Sequence, residues 1–128
     1  MNKGKSGFYY DVLAADGKPR KRKDAAKDQE AGLTRKNGDI LYWMVKQFML
    51  LKEQGKSDAI DPGWESEIRK LADAFVNTWQ QEATWGNYIY VESGKVAVYN
   101  TTGGAMAVAG VALASVYYDN PVYLNIAC

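Results

Sequence analysis

The chain contains no histidine and a single cysteine, Cys128. Catalytic arrangements of the Ser-His-Asp or Cys-His kind therefore have no imidazole base to use within one chain. A structural zinc site needs several thiolates or imidazoles, and a disulfide framework needs paired cysteines, so the same count excludes both. Whatever chemistry occurs must run on Asp, Glu, Tyr, Lys or Arg, with no metal and no cofactor expected. The strongest charge feature is Lys18-Pro19-Arg20-Lys21-Arg22-Lys23, the kind of run that can bind nucleic acid or act as an import signal. Asp24, Asp28 and Glu30 follow it directly and the net charge is only +1, so a solvated surface loop is the favoured reading and nucleic acid is a poor partner. Thr101-Thr102-Gly103-Gly104 opens an apolar run and could cradle an anion on free helix N–H groups. It lacks the lysine of a P-loop and the spacing of a dinucleotide fingerprint, which leaves close helix packing through Gly103 and Gly104 as its expected use.

At 128 residues, 47% hydrophobic and 24% charged, the chain has the composition of one soluble globular domain. Residues 1–7 are polar and basic with no apolar run behind them, so no signal peptide is expected there. The clearest helix spans about 62–81, where Trp64, Ile68, Leu71, Ala72, Phe75 and Trp79 share one face. Asp61 is its expected N-cap, Pro62 its first residue, and Glu65 and Glu67 suit the positive end of the dipole. This reads as an outer, half-exposed helix. A second helix is predicted from Gly38 or Asp39 to Gln54, capped by Asn37 and ended by Gly55. Its apolar residues, from Ile40 to Leu51, cover most of the circumference, which predicts burial on several sides. The run from Ala105 to Tyr118 is shorter than the ~20 residues that cross a bilayer and consists mostly of small side chains, so it is read as a closely packed central helix and not as a membrane span. Asn120-Pro121 then repeats the cap-and-proline start of another helix. Two segments read as β-hairpins or extended loops: Gly7 to Val12 leading to a turn at Asp16-Gly17, and Gly86 to Val91 leading to Ser93-Gly94 with Lys95 to Tyr99 returning. Residues 18–36 read as a long loop.

These pieces occur in the same order twice. A Gly-x-Tyr step (Gly7-x-Tyr9, Gly86-x-Tyr88) leads to an apolar helix, then to an Asp or Asn, a Pro and an aromatic (Asp61-Pro62-Gly63-Trp64, Asn120-Pro121-Val122-Tyr123). The unit is hairpin, buried helix, loop, amphipathic helix. A repeat whose first helix is apolar nearly all round needs neighbours on both sides, so the chain is expected to be part of a larger array or to self-associate through 105–116, with Ala107, Gly110, Val111 and Ala114 at the contact.

The stretch from Trp85 to Ala114, followed by Tyr117-Tyr118 and Asn120-Pro121-x-Tyr123-Leu124, resembles one repeat of the six-hairpin glycosidase superfamily, whose full fold is an (α/α) toroid. The resemblance implies a mainly all-α fold of repeated α-helical hairpins, with short β-hairpins in the loops preceding the buried helices. It implies a single partial domain over 1–128, with a first repeat over 7–82 and a second, truncated one over 84–128, because 128 residues are too few to close the ring. It also implies a glycoside hydrolase or polysaccharide lyase acting on an oligo- or polysaccharide, the alternative being a non-catalytic helical-repeat interaction module.

In such toroids the substrate cleft lies at the mouth formed by the loops before the inner helices, which places both tyrosine-rich hairpins beside it. Aromatic faces pack on the apolar faces of sugar rings, and carboxylates supply the acid and base for glycosidic cleavage. The resemblance thus nominates Asp11, Glu92 and Asp39 as acids, with Tyr9, Tyr10, Trp85, Tyr88, Tyr90 and Tyr99 as platforms for carbohydrate. Each has a structural alternative: Asp39 as a dipole-favoured helix residue, Glu92 as turn chemistry, the tyrosines as cross-strand pairs.

Overall fold

The computed structural model describes residues 3–10, 15, 16, 18, 31–99 and 104–127. Its element order is β1 (Ala31–Leu33), α1 (Thr34–Glu53), a 3-10 turn (Ser57–Ala59), α2 (Pro62–Glu82), β2 (Tyr88–Tyr90), β3 (Val96–Val98), α3 (Ala105–Tyr117) and α4 (Pro121–Ala127). The fold is mostly helical with one small sheet, and among the described residues no helix is long and apolar enough to cross a membrane.

Local chemistry accounts for α2 from end to end. The Asp61 carboxylate accepts the Gly63 N–H at 2.8 Å, Pro62 occupies the first position where its missing donor is not needed, and Glu65 lies in the first turn. The helix stops at Ala83, which is left-handed at φ 54° and donates its N–H to the Trp79 carbonyl at 2.7 Å. Ile68, Leu71, Ala72 and Phe75 are buried while Arg69, Lys70, Asp73 and Asn77 stay in water, the half-exposed arrangement that its periodicity predicts.

α1 departs from expectation at its start and in its burial. It begins one turn early, at Thr34, whose N–H donates to the Asn87 carbonyl at 3.0 Å. Asn37 is not the cap. Its amide lies inside the helix and clamps the backbone of Tyr9, accepting the Tyr9 N–H at 2.8 Å and donating to the Tyr9 carbonyl at 3.1 Å. The C-terminus follows the sequence, with Gly55 left-handed at φ 70°. The helix buries one stripe, Thr34, Asn37, Gly38, Leu41, Val45 and Phe48, and not several sides: Trp43 is 62% exposed and Leu50 47%.

α3 is the close-packed helix that its small residues predict. Its principal neighbour is α1, and the approach is tightest at Gly38, where a Cβ would stand 2.6 Å from the Ala107 backbone nitrogen. Ala107, Gly110, Val111 and Ala114 are all buried within this chain, so the face expected to meet a second copy is already covered by α1. α4 is tied down by Tyr123, which is buried and donates its hydroxyl to Asp73 of α2. Two further tyrosines of the α3 end join the same helix: Tyr117 donates to the Glu65 carboxylate and Tyr118 to the Glu65 carbonyl at 2.7 Å.

The sheet is antiparallel in the order β1-β2-β3. The hairpin expected over 86–99 is present as β2 and β3, with Gly94 left-handed in the turn and an irregularity between Tyr88 and Ile89. β1 forms where a loop was expected, because Ala31, Gly32 and Leu33 find open partners in Tyr90, Ile89 and Tyr88. Of the first expected hairpin, Gly7 to Tyr10 are described, and Tyr9 there bridges Lys3 across a turn with Gly7 at φ 102°; residues 11–14 and Gly17, which would complete it, lie outside the described residues. The basic run beyond Lys18 lies outside them too, as do Thr101, Thr102 and Gly103.

Candidate functional site

α1 carries more apolar side chains than α2 and α3 can cover, and the surplus lines an open cleft. Tyr9, Asp39, Ile40, Trp43, Met44 and Trp64 surround a hollow of about 450 Å³. Tyr9 and Asp39 extend into a second hollow of about 300 Å³, with Tyr10, Lys36 and Asn37 on its wall. Met44 and Trp64 lead the other way into a third, of about 260 Å³, over Phe48, Leu51 and Ile60. The shared residues make these one surface running along α1 from its N-terminal end. Trp64, from the first turn of α2, is 42% exposed and with Trp43 supplies its aromatic faces.

Tyr9 is the connecting residue. Asn37 fixes its backbone, and the Lys3 ammonium lies 4.9 Å from its ring centroid. Lys3 in turn bonds the Glu67 carboxylate and carbonyl at 3.0 and 2.6 Å, and Lys70 takes the other Glu67 oxygen at 3.0 Å. The Lys3 bond first, then the Lys70 bond, holds the Glu67 carboxyl below the usual carboxylate range, while burial lowers Lys3. Burial, with Glu67 adding to it, pushes the Tyr9 phenol up to about 12, so it is protonated at any physiological pH.

Of the acids proposed from sequence, Asp39 stands in the cleft, half-buried, with Tyr9 and Tyr10 beside it. Glu92 lies exposed on the turn after β2, where its carboxylate accepts the Tyr10 hydroxyl and, at 3.3 Å, the Lys5 N–H. It therefore joins the cleft through Tyr10 and does not line it. Asp11 lies outside the described residues. The proposed platforms divide. Tyr9 and Tyr10 line the cleft, but Trp85, Tyr88 and Tyr90 are buried and offer no free face. Trp85 packs on Phe75 and Trp79 and donates its indole N–H to the Phe75 carbonyl at 2.7 Å, while Tyr88 and Tyr90 pack with Ala31 on the sheet. Tyr99 is 66% exposed, but it is bound to Glu82 at 2.8 Å and is not among the residues of the cleft. The Glu82 bond raises its phenol.

Trp43 and Trp64 are the residues that sequence reasoning missed, since both were assigned to buried faces. A helical wheel centred on Gly38, the one residue of α1 small enough for a close crossing, would have put Trp43 on the far side. Among the described residues no group of three or more His, Cys, Asp and Glu comes together to hold a metal. The arrangement offers two exposed indole faces and a concave apolar wall, with Asp39 among the lining residues. No family model, no curated protein and no solved structure matches the chain.

Proposed function

We propose that this cleft binds an oligo- or polysaccharide, and that the chain is the carbohydrate-binding part of a carbohydrate-active enzyme of the helical-hairpin kind, a glycoside hydrolase or polysaccharide lyase. The observation that carries the reading is a pair of tryptophans left in solvent, Trp43 at 62% and Trp64 at 42%, around a hollow that also holds Tyr9 and Asp39. Flat indole faces next to a hydrogen-bond acceptor match the two surfaces of a sugar, its C–H face and its hydroxyl rim. The position of the cleft lends further support. It opens at the N-terminal end of α1, beside the segment that carries Tyr9 and Tyr10, where the resemblance to six-hairpin glycosidases implies substrate. Asp39 is the acid in reach of such a ligand.

The second reading, a non-catalytic interaction module, is favoured by a different observation: Val116, Val122 and Leu124 of α3 and α4 are also left in water. One titration separates the two. Intrinsic tryptophan fluorescence should respond to at least one member of a panel of neutral and acidic oligosaccharides. Trp43→Ala should weaken that response roughly tenfold, the equivalent of about 1.4 kcal/mol, a magnitude reasonable for one aromatic stack. A wild-type chain that responds to none of the sugars refutes the carbohydrate reading and leaves the interaction module.

A further inference from the structure

The cleft is the counterpart, one helix pair earlier, of a face that is covered elsewhere in the chain. Counted from its first residue, Ala105, α3 buries Ala107, Gly110, Val111, Ala114 and Ser115, with α1 as its principal neighbour. The same places counted from Thr34 in α1 hold Lys36, Asp39, Ile40, Trp43 and Met44, and every one of them lines the cleft. The second helix of each pair repeats the relation. Tyr123, the third residue of α4, is buried at 1% exposure and bonds Asp73 of α2. Trp64, the third residue of α2, is 42% exposed. The face with which α3 and α4 meet α1 and α2 is thus present on α1 and α2 as well, and no further helix among the described residues stands against it.

The matching cover is exposed on the same chain. α1 receives α3 on the stripe through Gly38, Leu41 and Phe48, which meet Ala107, Gly110 and Tyr117. The corresponding stripe of α3 is Ala105, Ala109, Ala112 and Val116, with Val108 beside it in the place of Asn37. All five are apolar and none is buried; Val116 is 68% exposed and Val108 39%. We infer that copies of this chain stack head to tail, the outer stripe of α3 in one copy lying in the cleft between Trp43 and Trp64 of the next, as a continuation of the α1–α3 contact inside the chain. The contact between copies is looser than the internal one, because Asp39 and Trp43 stand where α3 has Gly110 and Ala114 and hold the backbones apart, so it dissociates on dilution. It joins two different faces, and therefore extends into a row or closes into a ring instead of stopping at a pair. The inference goes beyond the carbohydrate reading and does not rest on it; a sugar and a neighbouring α3 would meet the same Trp43 and exclude one another there.

Sedimentation equilibrium of the full chain tests this with two variants, each blocking one face: Trp43→Arg in the cleft and Val108→Arg on the outer stripe. Both residues are exposed, and circular dichroism checks that both variants fold; Trp64→Arg and Val116→Arg stand in for either one that does not. The wild type, taken from about 10 µM to about 1 mM, should rise past twice the 14.2 kDa chain mass, while each variant alone stays at the mass of one chain. An equal mixture of the two variants should form a pair and stop there, since one keeps its cleft and the other its stripe. A wild type that stays monomeric throughout, as it would with its cleft filled by another part of the chain, overturns the inference. So does a wild type that stops at two copies, which marks a self-complementary contact, or a mixture of variants that does not pair. Val108→Arg leaves every cleft residue in place, so its fluorescence response to the oligosaccharide panel judges the carbohydrate reading separately from the stacking.

Discussion

Two glycines in the α1–α3 crossing invite the same substitution and should answer it oppositely. Gly38 and Gly110 are both inside helices, where replacing Gly by Ala gains about 1 kcal/mol of helix propensity. At Gly110 the three atoms nearest a new Cβ all belong to the Leu41 side chain, at 3.1 Å, and a side chain can give by a few tenths of an ångström. At Gly38 the nearest atoms are backbone: Ala107 N at 2.6 Å, Met106 C at 2.8 Å and Ala107 Cα at 3.1 Å. Nothing there can rotate away. The helices must part until the contact becomes an ordinary one, which is about 0.8 Å of movement, and a gap of that size forfeits roughly a quarter to a half of the dispersion well for facing atoms. Those atoms are the middle of the core, Leu41 and Val45 against Ala107, Val111 and Ala114. Overpacking costs about 1–3 kcal/mol where side chains can relax, and a backbone obstacle belongs at or beyond the top of that range. Against the propensity gain, Gly38→Ala should lose about 2 kcal/mol net, a fall in Tm of about 8 °C at roughly 4 °C per kcal/mol for a chain of this size. Gly110→Ala should stay within about 3 °C of wild type. Far-UV circular dichroism melts of the three proteins decide the matter. If Gly38→Ala melts at or above the wild-type temperature, or Gly110→Ala is the more damaged of the two, the backbone-to-backbone crossing described here is wrong.

Asn37→Ala removes both partners of the Tyr9 main chain at a buried position, and at about 1–3 kcal/mol for each of the two orphaned groups it should cost about 2–6 kcal/mol in urea unfolding and release the cleft wall that Tyr9 forms. A loss below about 1 kcal/mol would mean that Tyr9 re-pairs its backbone elsewhere. Alkaline pH should destabilise the fold as well. Burial first, then the Asp73 bond, raises Tyr123 to about 12; burial raises Tyr9 to about 12; and burial followed by the Glu65 interactions raises Tyr117 and, with its tyrosine neighbour, Tyr118. An unfolded tyrosine ionises near 10, so between about pH 10 and 12 the unfolded chain binds fewer protons than the folded one. Stability is then complete below that window and falls within it, by up to about 1.4 kcal/mol per pH unit for each such tyrosine. Unfolding curves that do not shift across the window would count against these burials.

What could be read from the sequence was what local chemistry decides. The whole signature of α2 lies within four residues, Asp61 to Trp64, and the cap bond forms as written. Gly55 and Gly94 mark turns because only a left-handed residue fits there. The errors share one physical cause, a distant partner. Asn37 looks like a cap for the helix that follows it, but its amide is taken by Tyr9, 28 positions away in sequence. Ala31-Gly32-Leu33 has neither length nor alternation to announce a strand, and becomes one because the edge of β2 is open to it. Tyr88, Ile89 and Tyr90 are all buried, Ile89 in the main core and the two tyrosines with Ala31 in a second cluster, a division that depends on partners distant in sequence.

The cleft arises where the expected burial of α1 on several sides does not occur. α1 is apolar nearly all round, and that circumference divides into two stripes. Thr34, Asn37, Gly38, Leu41, Val45 and Phe48 form the buried one; Asp39, Ile40, Trp43 and Met44 form the other, roughly 140° away at 3.6 residues per turn. A second apolar stripe predicts a second cover, and periodicity says nothing about whether that cover is protein. What separates the two is the chemistry of single residues. The first stripe has Gly38, which admits a backbone, and Asn37, which fixes one. The second has a carboxylate and an indole, a poor pair for a sealed core, where Asp39 would need a charged partner and Trp43 a partner for its N–H. Asn37, Gly38 and Asp39 are consecutive, and the helical turn sends them in different directions: to the Tyr9 backbone, to α3, and into the cleft. That short run positions the Tyr9 wall of the cleft, the helix packing behind it and the Asp39 charge beside it.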